Sequence, residues 1–126
     1  MILNIFGNQN EITQLPYHEF DWDEQIAVKK IIIEWISTKA ITGIVQSDLV
    51  DKNPFNPNQQ LCSFTKFEGS TLTEVCFSDP VFYGIQKHSL HDARFSIKSL
   101  FDDEILQVKH IHIQLISKQF YHVMIT

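Results

Sequence analysis

The stretch ILQVKHIHIQLISKQFYHVMIT, residues 105–126, carries the most regular side-chain pattern in the chain. A three-residue turn at residues 117–119 would fold its second half back on the first, with Ile116 facing Phe120 across the turn. Because strand side chains alternate between faces, this hairpin has one apolar face and one face rich in histidine. The apolar face consists of Ile111, Ile113, Leu115, Tyr121, Val123 and Ile125. The other face consists of His110, His112, Gln114, His122, Met124 and Thr126. The pattern predicts a C-terminal β-hairpin whose apolar face belongs to the core.

Within this stretch the apolar positions change phase at Lys109 and His110. Leu106 and Val108 precede the change, and the alternating isoleucines from Ile111 follow it. One extra residue in a strand produces such a shift, so the sequence predicts a β-bulge at Lys109–His110.

Residues Asp21–Lys39 are predicted to form the main helix. Asp21 is a suitable N-cap, and Glu24 stands three residues later, which is the spacing of a capping box. At 100° per residue one broad arc is apolar, and it contains Ala27, Val28, Ile31, Ile32, Trp35 and Ile36. The β-branched run at residues 31–33 keeps a strand as the alternative, but the length and the caps favour a helix.

Three further segments are predicted to be strands, whereas residues 92–100 fit either a short helix or a strand. Met1–Phe6 is one, and Leu61–Phe67 and Leu72–Phe77 form a hairpin around a type II′ turn at Gly69-Ser70. Residues 40–50 fit either a helix or a strand that starts after a break at Gly43. The predicted fold is therefore α+β: a single domain, 1–126, with one main helix packed on a largely antiparallel β-sheet that ends in the C-terminal hairpin.

Two cysteines do not make a disulfide framework in a chain of 126 residues. In the predicted hairpin, Cys62 and Cys76 point to opposite faces, so no disulfide is expected between them. No apolar run approaches the roughly 20 residues that a membrane span needs, and no signal-peptide pattern is present. The sequence predicts a cytoplasmic protein without a membrane association.

The net charge of −5 is concentrated near the N-terminus. The first 28 residues contain five carboxylates and no Lys or Arg, whereas the rest of the chain has ten acids and ten bases. A phosphate-binding surface needs clustered Lys and Arg, and the chain has a single arginine, Arg94. Nucleic-acid binding is therefore not expected. An acidic surface that binds a basic partner is expected instead.

Histidines are the candidate metal ligands. On the predicted hairpin, His110 and His112 would share a face about 7 Å apart, and His122 would join them from the partner strand. His88 and His91 could contribute from a loop. A zinc site needs three or four converging ligands, and nothing in the pattern brings the two groups together. No metal and no other cofactor is predicted.

No GxSxG, P-loop, HExxH or Rossmann pattern is present, so an enzyme is not expected. The alternative is a small α+β cone whose cavity, lined by some of the ten phenylalanines, binds a ligand or carries out acid–base chemistry. In that case a histidine of the final hairpin would act as base, with Glu74, Asp79 or Asp92 to orient it.

The sequence YHEFDWDE, residues 17–24, is the strongest indication of function. It fits the start of the predicted helix, and it also fits an interface in which carboxylates attract a basic partner and aromatic side chains anchor it. Glu34 and Ile33, on the polar side of the predicted helix, would extend this patch. The predicted partner-binding residues are Glu19, Phe20, Asp21, Trp22, Asp23, Glu24, Ile33 and Glu34. A third possibility is a homodimer formed through Ile26 and Ile33.

In its size, acidity, lack of catalytic motifs and Arg-poor, Ile/Phe/Asn/Lys-rich composition, the chain resembles the small immunity proteins with which bacteria neutralise toxins, including those of contact-dependent inhibition systems. The resemblance covers no motif, so it assigns no residue a role. It implies a non-enzymatic, cytosolic antidote that binds a basic toxin nuclease domain and blocks its active site, with carboxylates in the place of phosphates.

Overall fold

The structure, a computed structural model, describes residues 2–9, 11–14, 17–102 and 104–125; for residues 8–9, 11–14 and 123–125 it describes the backbone alone. Met1 and Thr126, the outermost residues of the predicted elements, lie outside this description. The described residues form nine strands and one α-helix, with a 3-10 turn at Leu90–Asp92. The elements are β1 (Ile2–Gln9), β2 (Glu11–Gln14), β3 (Gln25–Trp35), β4 (Ile41–Ser47), β5 (Gln60–Lys66), β6 (Leu72–Cys76), β7 (Tyr83–Gly84), β8 (Phe95–Ser99), β9 (Val108–Ser117) and α1 (Lys118–Ile125).

The strands form two antiparallel sheets. In the larger sheet the order is β2-β1-β9-β3-β6, and β7 pairs with the start of β3; in the smaller sheet the order is β5-β4-β8. β9 lies between β1 and β3 and pairs with both along most of its length. The C-terminal strand therefore organises the larger sheet.

The core lies between the two sheets. Ile31, Ile33 and Ile113 of the larger sheet are fully buried in one cluster with Val45 of the smaller sheet. At one end of the cluster, the Trp35 ring lies 5.6 Å from the ring of Phe64, and the Trp35 indole N–H donates to the Thr73 hydroxyl at 2.8 Å. Burial of this apolar surface is the main force that holds the sheets together.

The prediction of an α+β fold with one main helix is wrong, because β3 occupies the centre of the predicted helix Asp21–Lys39. The larger sheet skips Lys29 between the pairs Val28–Leu115 and Lys30–Gln114, which is a β-bulge. The bulge turns Val28 and Ile31, three residues apart, to the same face. That spacing is typical of a helix, and it explains why the apolar pattern predicted a helix where the chain forms a strand.

The prediction of a C-terminal hairpin is also wrong, because the chain continues from β9 into α1 instead of turning back. The Ser117 hydroxyl accepts a hydrogen bond from the backbone N–H of Phe120 at 3.3 Å, as an N-cap does. α1 lies against β3 and β9, with the Tyr121 ring 5.6 Å from Phe82. The predicted bulge is confirmed: both neighbours of β9 pair with Val108 and then with His110, and both skip Lys109.

The predicted hairpin of Leu61–Phe67 with Leu72–Phe77 is divided between the sheets. β5 pairs with β4 in the smaller sheet and β6 pairs with β3 in the larger one, so the turn that contains Gly69 carries the chain from one sheet to the other. Residues 41–47 form a strand with Gly43 inside it. A Cβ on Gly43 would lie 2.5 Å from Cζ of Phe64, so only glycine fits under that ring.

Candidate functional site

Residues 17–24 form a connection that leads into β3 and is tied to a distant part of the chain. The Phe20 N–H donates to the His88 carbonyl at 2.7 Å, and the Leu90 N–H donates to the His18 carbonyl at 2.9 Å. The Phe20 side chain is fully buried in the core. The segment therefore has a defined backbone conformation although it lies outside the regular strands.

The exposed side chains of this connection form a surface that contains both aromatic rings and carboxylates. We call it the acidic–aromatic surface, and it consists of Tyr17, Glu19, Asp21, Trp22 and Asp23. Tyr17 is 79% exposed and Trp22 is 68% exposed. One face of the Trp22 ring stacks on His88, with ring centroids 5.3 Å apart. Two large aromatic side chains are thus presented to solvent beside three exposed carboxylates.

A hydrogen bond and a carboxylate–imidazole contact position the first half of this surface. The Tyr17 hydroxyl donates to Oε1 of Glu19 at 3.1 Å, and this bond, together with the charge of Glu19, raises the pKa of Tyr17. Oε2 of Glu19 lies 3.7 Å from Nε2 of His88. Glu19 therefore lies between an aromatic hydroxyl and an imidazole, both of which limit its rotamers.

The second half of the surface borders a cavity of about 280 Å³ at the start of α1. The cavity is lined by Asp21, Asp23, Glu24, Gln25, Ser117, Lys118, Gln119 and His122. The Glu24 N–H donates to the Asp21 carbonyl at 3.0 Å and so forms the turn that precedes β3. Oε2 of Glu24 is buried and has no hydrogen-bond partner among the described residues. Asp21, Asp23 and Glu24 therefore lie around one cavity, which Lys118 also lines.

Not all of the predicted partner-binding residues belong to this surface. Phe20 and Ile33 are fully buried, so neither can contact a partner from this fold. Ile26 is buried too, and the apolar patch expected of Ile26 and Ile33 is absent from the described surface. Glu34 lies near the far end of β3, roughly 30 Å away by strand rise, where Oε1 of Glu34 is 3.4 Å from Nζ of Lys109.

The histidines considered as metal ligands are divided among three places, one of which is the segment around the 3-10 turn that contains His88 and His91. His110 and His112 lie on β9, on the face of the larger sheet that points away from the core, whereas His122 lies in α1. Nε2 of His112 is 2.9 Å from Oδ1 of Asn4, and its ring stacks on Phe6 with centroids 4.6 Å apart. Across the described residues, no three His, Cys, Asp or Glu side chains are placed to hold a metal ion together.

The alternative function requires a cavity with a histidine, and the cavity of about 280 Å³ has one, His122, in its lining. The carboxylates predicted to orient that histidine, Glu74, Asp79 and Asp92, are not among its described lining residues. A cavity of about 690 Å³ lies at the opposite end of β3, and none of its described lining residues is a histidine. The cysteines are both free; burial raises the pKa of Cys62 to about 12, so its thiol is not a nucleophile near neutral pH.

Two residues of the acidic–aromatic surface region were not among the predicted partner-binding residues. Tyr17 begins the predicted segment, and its exposure follows from the burial of Phe20 on the other side of the backbone. His88 is far away along the chain and meets Trp22 through the backbone pairing of residues 18–20 with residues 88–90. No local pattern around His88 indicates that contact.

Comparison with known proteins identifies no relative of this chain. No protein-family model matches the chain, no curated protein matches it, and no solved structure matches it. Within the described ranges, every helix is too short or too polar to cross a lipid bilayer. The surfaces of this molecule itself are therefore the basis for a proposed function.

Proposed function

We propose that this chain is a non-enzymatic binding module of the immunity-protein kind, which neutralises a basic toxin domain in the bacterial cytoplasm through its acidic–aromatic surface. One observation carries the proposal: Trp22 and Tyr17 stay exposed on a segment whose backbone and central Phe20 are held in place. Large exposed aromatic side chains on a fixed backbone are the usual anchors of protein interfaces.

The charges of the surface favour a basic partner. Glu19, Asp21 and Asp23 are exposed, and residues 1–28 contain no Lys or Arg. Lys118 lines the same cavity as Asp21 and Asp23, and a single Lys offsets only part of their charge. Clustered carboxylates accelerate association with a basic protein and discriminate against acidic ones. A nuclease domain, whose active site binds phosphates, offers such a basic surface.

The fixed conformation of the segment also contributes to affinity. Association costs free energy wherever a loop must be ordered, and a segment that is already hydrogen-bonded to residues 88–90 avoids part of that cost. A complex of this type buries roughly 1,600 Å² in total, of which a few aromatic contacts supply most of the binding free energy.

The test begins with capture of the partner from extract of the source cells by the tagged chain, followed by binding kinetics with the purified partner. Asp21→Lys with Asp23→Lys should lower the association rate constant about tenfold and flatten its salt dependence, because steering by the carboxylates is lost. Trp22→Ala should instead raise the dissociation rate constant about tenfold or more, because an anchor is lost.

The matched control is Glu74→Lys with Asp79→Lys, which changes the net charge equally at exposed positions outside the surface. Equal losses in the two charge variants would mean that net charge alone attracts the partner. Wild-type kinetics in both the Asp21/Asp23 variant and Trp22→Ala would refute the proposal.

A further inference from the structure

A second candidate binding region lies where β3 ends, on the opposite side of the molecule from the acidic–aromatic surface. Three connections meet there: residues 36–40, residues 67–71, and the described residues 100–102 and 104–107. Between them is the cavity of about 690 Å³, which we call the end cleft. This volume is within the range of roughly 300–1,000 Å³ that is typical of ligand pockets.

The connections around the end cleft are tied to one another. The Gly69 N–H donates to the Thr38 carbonyl at 2.7 Å, and the Leu100 N–H donates to the Thr42 carbonyl at 2.9 Å. The Lys66 side chain is buried, and its ammonium group donates to the Lys39 carbonyl. These bonds join all three connections to the start of β4 or to the residues before it, so the cleft is preformed.

Each connection contributes a large exposed apolar side chain to the end cleft. Phe67 is 76% exposed and Phe101 is 84% exposed, and Ile36 and Ile105 are exposed as well. Single exposed apolar residues are normal on a protein surface, but several around one cavity indicate a binding site. Phe55, 98% exposed on a separate loop, is an example of the isolated kind.

The rim of the end cleft carries a negative charge. Glu68, Asp102 and Glu104 are exposed, and the facing cations are Lys39, which is exposed, and Lys66, which is buried against a carbonyl. The backbone N–H of Glu104 donates to Oδ1 of Asp102 at 3.2 Å; this bond, and a further one from Ser99, lower the pKa of Asp102. The carboxylates therefore outnumber the accessible cations at neutral pH.

We infer that the end cleft binds a cationic amphipathic peptide segment of a partner protein. Apolar side chains of the segment fill the cavity between Phe67 and Phe101, and its Lys or Arg side chains meet Glu68 and Glu104. A second copy of this chain is the poorer occupant, because it carries the same net charge of −5 and presents the same acidic rim. The inference goes beyond the proposed function and stands on different residues.

The experiment is a titration of the full chain against a fluorescein-labelled peptide of alternating leucine and lysine pairs, followed by anisotropy. Phe67→Ser with Phe101→Ser should weaken binding at least about tenfold, because two apolar anchors are removed. Glu68→Lys with Glu104→Lys should also weaken binding, and more strongly at low salt than at high salt. A peptide with glutamate in place of lysine should not bind.

The controls separate the end cleft from the rest of the molecule. Phe55→Ser removes an even more exposed phenylalanine elsewhere and should leave affinity for the peptide unchanged. Asp21→Lys with Asp23→Lys, which disables the acidic–aromatic surface, should also leave the affinity unchanged apart from the small effect of net charge. The two proposals can therefore fail separately.

Three outcomes would overturn the inference. Equal affinity in the Phe67/Phe101 variant and in Phe55→Ser would place the peptide elsewhere. Binding of the glutamate peptide as tight as that of the lysine peptide would remove the charge argument. Self-association in sedimentation that is abolished by Phe67→Ser with Phe101→Ser would show that the occupant is a second copy.

Discussion

The two ends of β3 carry the two candidate binding regions, and they are built in different ways. At the start of the strand, the acidic–aromatic surface is drawn from five residues within one run of seven. At the other end, the end cleft collects side chains from three connections that are far apart along the chain. A surface of the first kind can be recognised in a sequence, whereas a surface of the second kind exists only once the sheets have packed.

The means of support differ as well. The acidic–aromatic surface is held by one buried side chain, Phe20, and by backbone pairing with residues 88–90. The end cleft is held by several hydrogen bonds and by the packing of β4 against β5 in the smaller sheet. In that packing, Gly43 lets the ring of Phe64 approach β4. One support of each region can be altered by a single substitution, at Phe20 for the acidic–aromatic surface and at Gly43 for the end cleft, which makes the comparison testable.

The largest effect is expected from Phe20→Ala. Removal of a fully buried phenylalanine should lower the free energy of unfolding by about 3–5 kcal/mol, because contacts are lost and a cavity remains. Urea denaturation followed by fluorescence measures this change. Phe55→Ala, at a side chain in solvent, is the matched control and should stay within about 0.5 kcal/mol of wild type. Similar stabilities of the two variants would contradict the role of Phe20 as the anchor of the segment.

A smaller effect is expected from Gly43→Ala in the sheet that supports the end cleft. The new Cβ would lie 2.5 Å from the Phe64 ring, which already packs on Trp35, so the free energy of unfolding should fall by about 1–3 kcal/mol. Binding of the partner through the acidic–aromatic surface should be unchanged in the folded variant.

Gly84→Ala is the control for this steric argument. A Cβ on Gly84 would lie equally close to Oδ2 of Asp51, which is the end of a side chain that can rotate away. Its cost should therefore be smaller than that of Gly43→Ala. Adding Phe64→Leu to Gly43→Ala should recover stability through non-additivity; strict additivity of the two changes would argue against the clash.

The smallest effect is expected between the two ends, at His112. Burial, and secondarily the charge of Lys30, lower the pKa of His112 below its usual 6.5. The fold thus favours the neutral imidazole, and the unfolded chain binds the proton more readily. Well above pH 6.5, His112 is neutral in both the folded and the unfolded chain, and its contribution to the free energy of unfolding does not change with pH. As the pH drops through 6.5 towards the lower pKa of the folded state, the free energy of unfolding falls.

An NMR titration of the imidazole protons measures the pKa of His112 directly. Lys30→Gln should raise that pKa, although only in part, because burial is the larger cause and because Nζ of Lys30 lies 3.2 Å from Oε1 of Glu74. A pKa of His112 above 6.5 in the native protein would contradict the assigned environment. Neither binding region should respond to this substitution.

The sequence by itself determined the local features. The phase change at Lys109 correctly predicted a bulge in β9, and the apolar N-terminal run predicted a strand there, although β1 extends three residues beyond the predicted end at Phe6. The concentration of carboxylates and aromatic residues at 17–24 indicated a candidate interface, and five of those residues lie on its exposed surface. Such features could be predicted because charge, bulges and side-chain alternation are properties of a single segment.

Only the tertiary structure decided the partners of each strand. Every strand offers the same backbone hydrogen-bonding groups, so nothing local shows that β9 pairs with β1 and β3 and not with residues 118–125. The apolar residues on either side of the bulge at Lys29 have a spacing that is typical of a helix. The segment nevertheless forms the strand β3, because in that form it is buried between β9 and β6. The contact of Trp22 with His88 and the whole end cleft follow from that packing, because they join residues that are distant in sequence.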